Sequence, residues 1–131
     1  MGTIREAVTL VGRKSRVATG ALFDTGCTHS LIEETLAKRL GPLDDLPEPV
    51  EFEAAIGHFK CTKGIFVDVH IGSYRYPSQF RVVHGLTETV ILGTDFMQVW
   101  NIRLDPRKHI AVLDPKALKM RAVSGRFEPH R

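Results

Sequence analysis

Asp24-Thr25-Gly26 closes the apolar run Ala21-Leu22-Phe23, and a second apolar run ending in glycine, Val90-Ile91-Leu92-Gly93, follows far downstream. Gly26 lets the chain turn sharply behind the aspartate, and its amide can approach a carboxylate with no side chain in the way. Thr25 offers a hydroxyl to lock the loop. The chemistry that suits such a carboxylate is peptide hydrolysis without a metal or a covalent intermediate. That reaction needs water activated and the carbonyl oxygen protonated at nearly the same place. Two carboxylates about 3 Å apart do both, because they cannot both be ionised and so divide into a base and an acid. They titrate as a unit, and activity is expected to be higher at acidic than at alkaline pH because the pair must hold one proton. The motif occurs once in 131 residues. The second aspartate must therefore come from elsewhere, and a symmetric homodimer with one Asp24 per chain is the simplest source.

The elements that must position this loop read mainly as strands. Residues from Glu6 to Phe23 are β-prone and interrupted by Gly12-Arg13-Lys14, which predicts a hairpin whose second strand runs into Asp24. Ser30-Leu31-Ile32-Glu33 reads as a capping box and Gly41-Pro42 as a stop, predicting a short helix over residues 31–40. Leu43 to Pro49, with two aspartates and two prolines, is expected to be a surface loop. Strands over Val50–Ala55 and Lys60–Phe66 would flank a tight reversal at Ile56-Gly57-His58-Phe59, a candidate flap. Ile65, Val67, Val69 and Ile71 alternate with Phe66, Asp68 and His70 at the period of a half-buried strand. Gly72-Ser73 then turns the chain towards a strand at Phe80–Val83. Thr89–Leu92 reads as a strand buried on both faces. Thr94 or Asp95 is expected to cap a short helix through Trp100, with a last strand over His109–Leu113.

Composition narrows the class. A chain of 14.7 kDa with 43% hydrophobic residues can build one core, read here as a domain over residues 1–114 followed by a basic tail, 115–131. The net charge of +3 resides in that tail, which holds Lys116, Lys119, Arg121, Arg126 and Arg131 against Glu128, leaving 13 basic and 14 acidic groups in the body. Nucleic acid is accordingly not an expected partner. No apolar stretch reaches the roughly 18 residues of a membrane span, and the N-terminus lacks a secretory layout, so no membrane partner is expected. Glu6 stands where a myristoylation motif wants Ser or Thr. Cys27 and Cys61 are too few for a disulfide framework, which favours free thiols in a reducing, cytoplasmic setting.

Leu22-Phe23-Asp24-Thr25-Gly26-Cys27-Thr28-His29-Ser30-Leu31-Ile32, followed by Val90-Ile91-Leu92-Gly93-Thr94-Asp95-Phe96-Met97, resembles the retropepsin-like aspartic proteases, in the flavour of retrotransposon and prokaryotic members. The likeness spans roughly Val8 to Leu113, and the two motifs in order are specific where a lone Asp-Thr-Gly would be weak. It implies an all-β fold, a closed acid-protease barrel with one or two short helices. It also implies an aspartic endopeptidase acting as a homodimer on an extended polypeptide bound by strand-like pairing. By the same resemblance Asp24 is the catalytic aspartate, Thr25 bonds across the dimer axis, and Gly26 contacts substrate backbone. Val90–Gly93 supports the loop from behind. Cys27 and the flap residues Ile56, Gly57 and His58 would touch substrate. No cofactor and no metal are implied.

Three features depart from the family pattern. Cys27 replaces the usual Ala or Ser, so a thiol beside the loop could modulate activity by oxidation. The flap has one glycine and His58 in place of a glycine-rich tip, and the C-terminal segment is long and basic. Cys27, His29, His58 and Cys61 have spacings unlike a zinc ribbon or finger. Asp95 reads as a helix cap rather than a second catalytic carboxylate, because Gly-Thr-Asp reverses the order and leads into a helix. His70, His84 and His109 read as surface histidines, and Phe96 with Trp100, four apart, as helix-to-core packing. The competing class is a peptide-binding or dimerisation module with a protease fold and no catalysis.

Overall fold

Alternating side chains make one face of each long strand a barrel interior. On the strand running to Ile71, the residues Ile65, Val67, Val69 and Ile71 are buried while Phe66 between them is exposed. The computed structural model describes residues 2–54 and 57–117. In chain order the elements are β1 (Thr3–Val11), β2 (Arg16–Asp24), β3 (Leu31–Glu33), α1 (Glu34–Leu40), β4 (Asp44–Ala54), β5 (Gly57–Ile71), β6 (Tyr74–Val83), β7 (Val90–Leu92), α2 (Thr94–Trp100), β8 (Arg103–Asp105) and β9 (Ile110–Val112). The strands lie in the order β1-β2-β7-β3-β6-β5, and β5 returns to β1 from Thr9↔His70 to Val11↔Asp68, closing a six-stranded barrel. Strand β4 pairs only with β5, extending the sheet beyond the barrel. The closed β-barrel with short helices expected from the sequence is the architecture found.

The main core lies inside the barrel and under the two helices. Phe23, Ile32, Val67, Phe80 and Leu92 meet Leu36 and Leu40 from α1 and Phe96 and Trp100 from α2. Tyr76 stands edge-on to both α2 aromatics, with ring centroids 5.7 Å from Phe96 and 5.3 Å from Trp100. A smaller cluster of Cys27, Leu31, Cys61, Val83, Leu86 and Ile91 fills the space behind the Asp24 loop. The β8–β9 pair forms its own small sheet and docks on β1, where the Ala111 amide donates to the Glu6 carboxylate at 2.8 Å.

Local expectations fail where tertiary pairing outbids them. Residues 31–33 are not helical: they form β3, held between β6 and β7, and the helix begins only at Glu34. The cap is Glu33, whose carboxylate accepts from the Thr35 amide at 2.8 Å, while Ser30 serves elsewhere. Residues 44–49 are not a loop but the start of β4. Pro47 and Pro49 lack the amide a ladder needs, and the register shifts between Asp45 and Val50 where they fall. The sequence reading missed β8, too short to show a period. Most of the basic tail, 118–131, lies outside the described residues.

The Tyr76 hydroxyl is buried and has no hydrogen-bond partner among the described residues. Burial, then the charges of Tyr74 and Asp114, push its phenol up to about 12. The folded state therefore holds this proton where the unfolded chain, near 10, releases it, so its contribution to stability is complete below about pH 10 and is lost as pH rises towards 12. Tyr76→Phe removes the orphaned hydroxyl and should leave stability in denaturant unchanged or raised by up to about 1 kcal/mol. It should also flatten the alkaline decline of the melting temperature.

Candidate active site

Strand β2 delivers Asp24 to the barrel end through residues paired on both sides. Phe23 faces Ile4 on β1 and Leu92 on β7, and Leu22 faces Ile91. The expected support from behind is present, because Val90, Ile91 and Leu92 are all fully buried. Asp24 is itself only 5% exposed. The Gly26 amide donates to its Oδ1 at 2.8 Å and the Cys27 amide to its carbonyl at 3.1 Å, so the turn holds the carboxylate from within. Among the described residues no second carboxylate hydrogen-bonds to Asp24.

The rest of the loop is sutured to the start of α2. The Cys27 carbonyl accepts from the Thr94 amide at 2.8 Å and the Thr28 carbonyl from the Asp95 amide at 3.2 Å. The Ser30 hydroxyl donates to Asp95 Oδ1 at 2.6 Å, the Ser30 amide donates to Oδ2 at 3.1 Å, and the Gly93 amide donates to the Ser30 hydroxyl at 3.0 Å. Gly93 is required by this approach: a Cβ there would sit 2.4 Å from the Cys27 carbonyl oxygen and 2.9 Å from that of His29. Asp95 therefore does more than the cap expected of it. Gly93 occupies the cap position, and the Asp95 carboxylate braces the Asp24 loop while also accepting from the Phe96 amide. Ser30 and Asp95 lie 65 residues apart, and only the shared family motif hinted that they meet.

Thr25 is exposed and its bonds are made within the chain. Its hydroxyl accepts from the Gly2 amide at 2.7 Å, and its amide donates to the Gly2 carbonyl at 3.1 Å. The N-terminal strand thus holds the loop from the side opposite α2, a contact the sequence reading did not foresee.

Over the smaller cluster lie the arms β4 and β5. Phe52 and Phe59 are directly opposite in register, with rings 5.7 Å apart, and Phe52 rests on the His29 ring at 5.0 Å. Pairing closes at Ala54↔Gly57, so Gly57, His58 and Phe59 belong to an arm. Ile56 lies outside the described residues. His58 is exposed and faces Glu51 at 3.3 Å and Glu53 at 3.5 Å across the same pair of strands. His70 is half-buried, while His84 and His109 are exposed, with His84 bonded to Glu34 at 2.9 Å. Burial, followed by the charge of Arg81, lowers the His29 pKa against an opposing pull from Asp95.

Cys27 is buried, and its thiol donates to the His29 carbonyl at 3.1 Å. Burial first, then the charge of Asp24, pushes that thiol up, and burial does the same for Cys61. Both are free, so an oxidation-prone thiol beside the loop is not what the fold builds. Alkylation by iodoacetamide at pH 8 should run at least about tenfold slower in the native protein than in denaturant, where both thiols react. Asp95→Ala strips Ser30 of its charged partner and should destabilise the chain by about 2–3 kcal/mol in urea titration, with Asp95→Asn losing less.

A family model described as gag-polyprotein putative aspartyl protease matches residues 12–99. No curated protein matches the sequence. Among solved structures, the retroviral protease-like domain of Ddi1 from Leishmania major superposes with a TM-score of 0.66 at 18% identity, over 88% of this chain and 90% of that one. EIAV protease complexed with the inhibitor HBY-793 superposes with a TM-score of 0.60 at 16% identity, over 79% and 93%. These likenesses establish the fold, and the family match spans both the Asp24 loop and the Gly93 suture. With more than half of its length matched, the chain belongs to this retropepsin-like aspartyl protease family.

Proposed function

We propose that the chain is an aspartic endopeptidase that works as a homodimer, with Asp24 from each copy sharing one proton. The observation that carries this reading is the state of Asp24: a single buried carboxylate, oriented by the Gly26 amide, at the edge of an exposed Thr25-Gly26 turn. A rigidly held carboxylate suits general acid–base work, and one per chain makes the monomer half a site. Asp95 does not supply the other half, since both its oxygens are engaged by Ser30.

In the dimer the two Asp24 carboxylates face each other across the twofold axis. One takes a proton from water as that water attacks the carbonyl carbon, while the other gives its proton to the carbonyl oxygen. Collapse of the tetrahedral intermediate returns a proton to the leaving amine. Thr25 lies where the two loops meet, and the arms β4 and β5 cover an extended polypeptide whose backbone pairs with the loop and the arms. The half-buried Leu22, Leu46, Phe52 and Phe59 form apolar walls for its side chains.

Asp24→Asn should lower cleavage of an unstructured polypeptide such as casein by at least about a thousandfold while sedimentation still shows a dimer. Undiminished cleavage would remove Asp24 from the mechanism, and a wild-type dimer that never cuts would mark a binding module in its place.

A further inference from the structure

One cation near the Asp24 loop has no ion-pair partner among the described residues. Arg81 lies on β6, opposite Leu31 of β3 and Gly64 of β5, and its amide donates to the Ser30 carbonyl at 3.0 Å. Its sequence neighbours Phe80 and Val82 turn into the main core, while Val83, two residues on and on the same side of the strand as Arg81, belongs to the smaller cluster behind the Asp24 loop. Strand alternation therefore directs Arg81 to the side where Leu31, Cys27 and Cys61 lie and where Phe52 and Phe59 of the arms pack. Its charge reaches both His29 and Cys61, one on the catalytic loop and one on an arm.

Its Nε is buried and has no hydrogen-bond partner among the described residues. The ion pairs among the described residues occupy Glu34, Asp45, Glu51, Glu53 and Glu88, none of them with Arg81. Asp95, whose charge also acts on His29, has its oxygens committed to Ser30 and Phe96. A buried donor left without an acceptor costs stability, and an apolar side chain of similar length would not carry that cost. Its planar fork of donors matches a carboxylate in two parallel bonds.

We propose that Arg81 is the specificity-determining residue of the groove between the Asp24 loop and the β4–β5 arms, where it takes the carboxylate of a substrate Glu or Asp side chain. The inference rests on the protease reading for the groove and names the substrate class: polypeptides with an acidic residue within a few positions of the bond to be cut. Phe52 and Phe59 pack on the cluster that contains Leu31 and Cys61, the side to which the strand directs Arg81, and a carboxylate received there, where water is partly excluded, would pair more strongly than on open surface. A homodimer repeats the subsite on the other side of the scissile bond.

The test separates this inference from catalysis. Fluorescein-labelled extended peptides with an apolar centre and one Glu, moved position by position, are compared with their Gln counterparts for binding to the Asp24→Asn protein by anisotropy. At one or more positions Glu should bind about tenfold more tightly than Gln. Arg81→Met, added to Asp24→Asn, should abolish that difference, leave the Gln peptides unchanged and keep or raise the melting temperature, while Arg81→Lys keeps part of the preference. No preference for Glu, a preference that survives Arg81→Met, a collapse of the melting temperature in Arg81→Met, or no binding of any peptide each overturns the proposal. A Glu preference lost in Arg81→Met, in a wild-type protein that cuts none of these peptides, supports Arg81 and defeats only the protease reading.

Discussion

The site depends on a backbone-to-backbone contact between the Asp24 loop and the first turn of α2. Carbonyls at positions 27 and 28 take amides from positions 94 and 95, and the closeness that requires leaves no room for a side chain on Gly93. The Ser30–Asp95 bonds close the same seam with a charged acceptor. Loops are ordinarily the mobile part of a fold. This one is tied at its far end to a helix that itself rests on Tyr76 through Phe96 and Trp100, so the position of Asp24 is inherited from the core.

A second tie, from Thr25 to Gly2, holds the near side of the loop. Between the two ties Gly26 remains exposed, as does Thr28 beyond the buried Cys27. Above it the aromatic pair Phe52 and Phe59 brings the β4–β5 arms down onto His29. The Asp24 loop therefore rests on a floor set by the barrel, and the arms reach it from above through ring contacts.

Much of this was legible in residue order. The alternation of β5, the hairpin into Asp24 and the buried Val90–Leu92 run are local patterns, and a local pattern survives when the chain folds around it. The misread stretches share a different cause. Ser30-Leu31-Ile32-Glu33 has the spacing of a capping box, yet β6 and β7 both offer it hydrogen-bonding edges, and pairing on two sides outweighs one cap. The prolines at 47 and 49 signal a loop locally, whereas the long β5 supplies a partner strand that accepts them as an irregularity. Cys27 reads as a reactive thiol from its place beside the aspartate, but burial decides its chemistry.

By itself the sequence determined one Asp-Thr-Gly per chain, a mainly β chain and the motif pair that carries the family, because residue type and order alone encode these. Only the tertiary structure decided what holds Asp24 in place and what faces it. Ser30 with Asp95, Gly2 with Thr25, and Phe52 with His29 are contacts between residues distant in the chain, and closing a barrel is what brings such residues within bonding distance. Arg81 is the clearest case, since an arginine on a strand is unremarkable until the fold buries its Nε with no hydrogen-bond partner among the described residues.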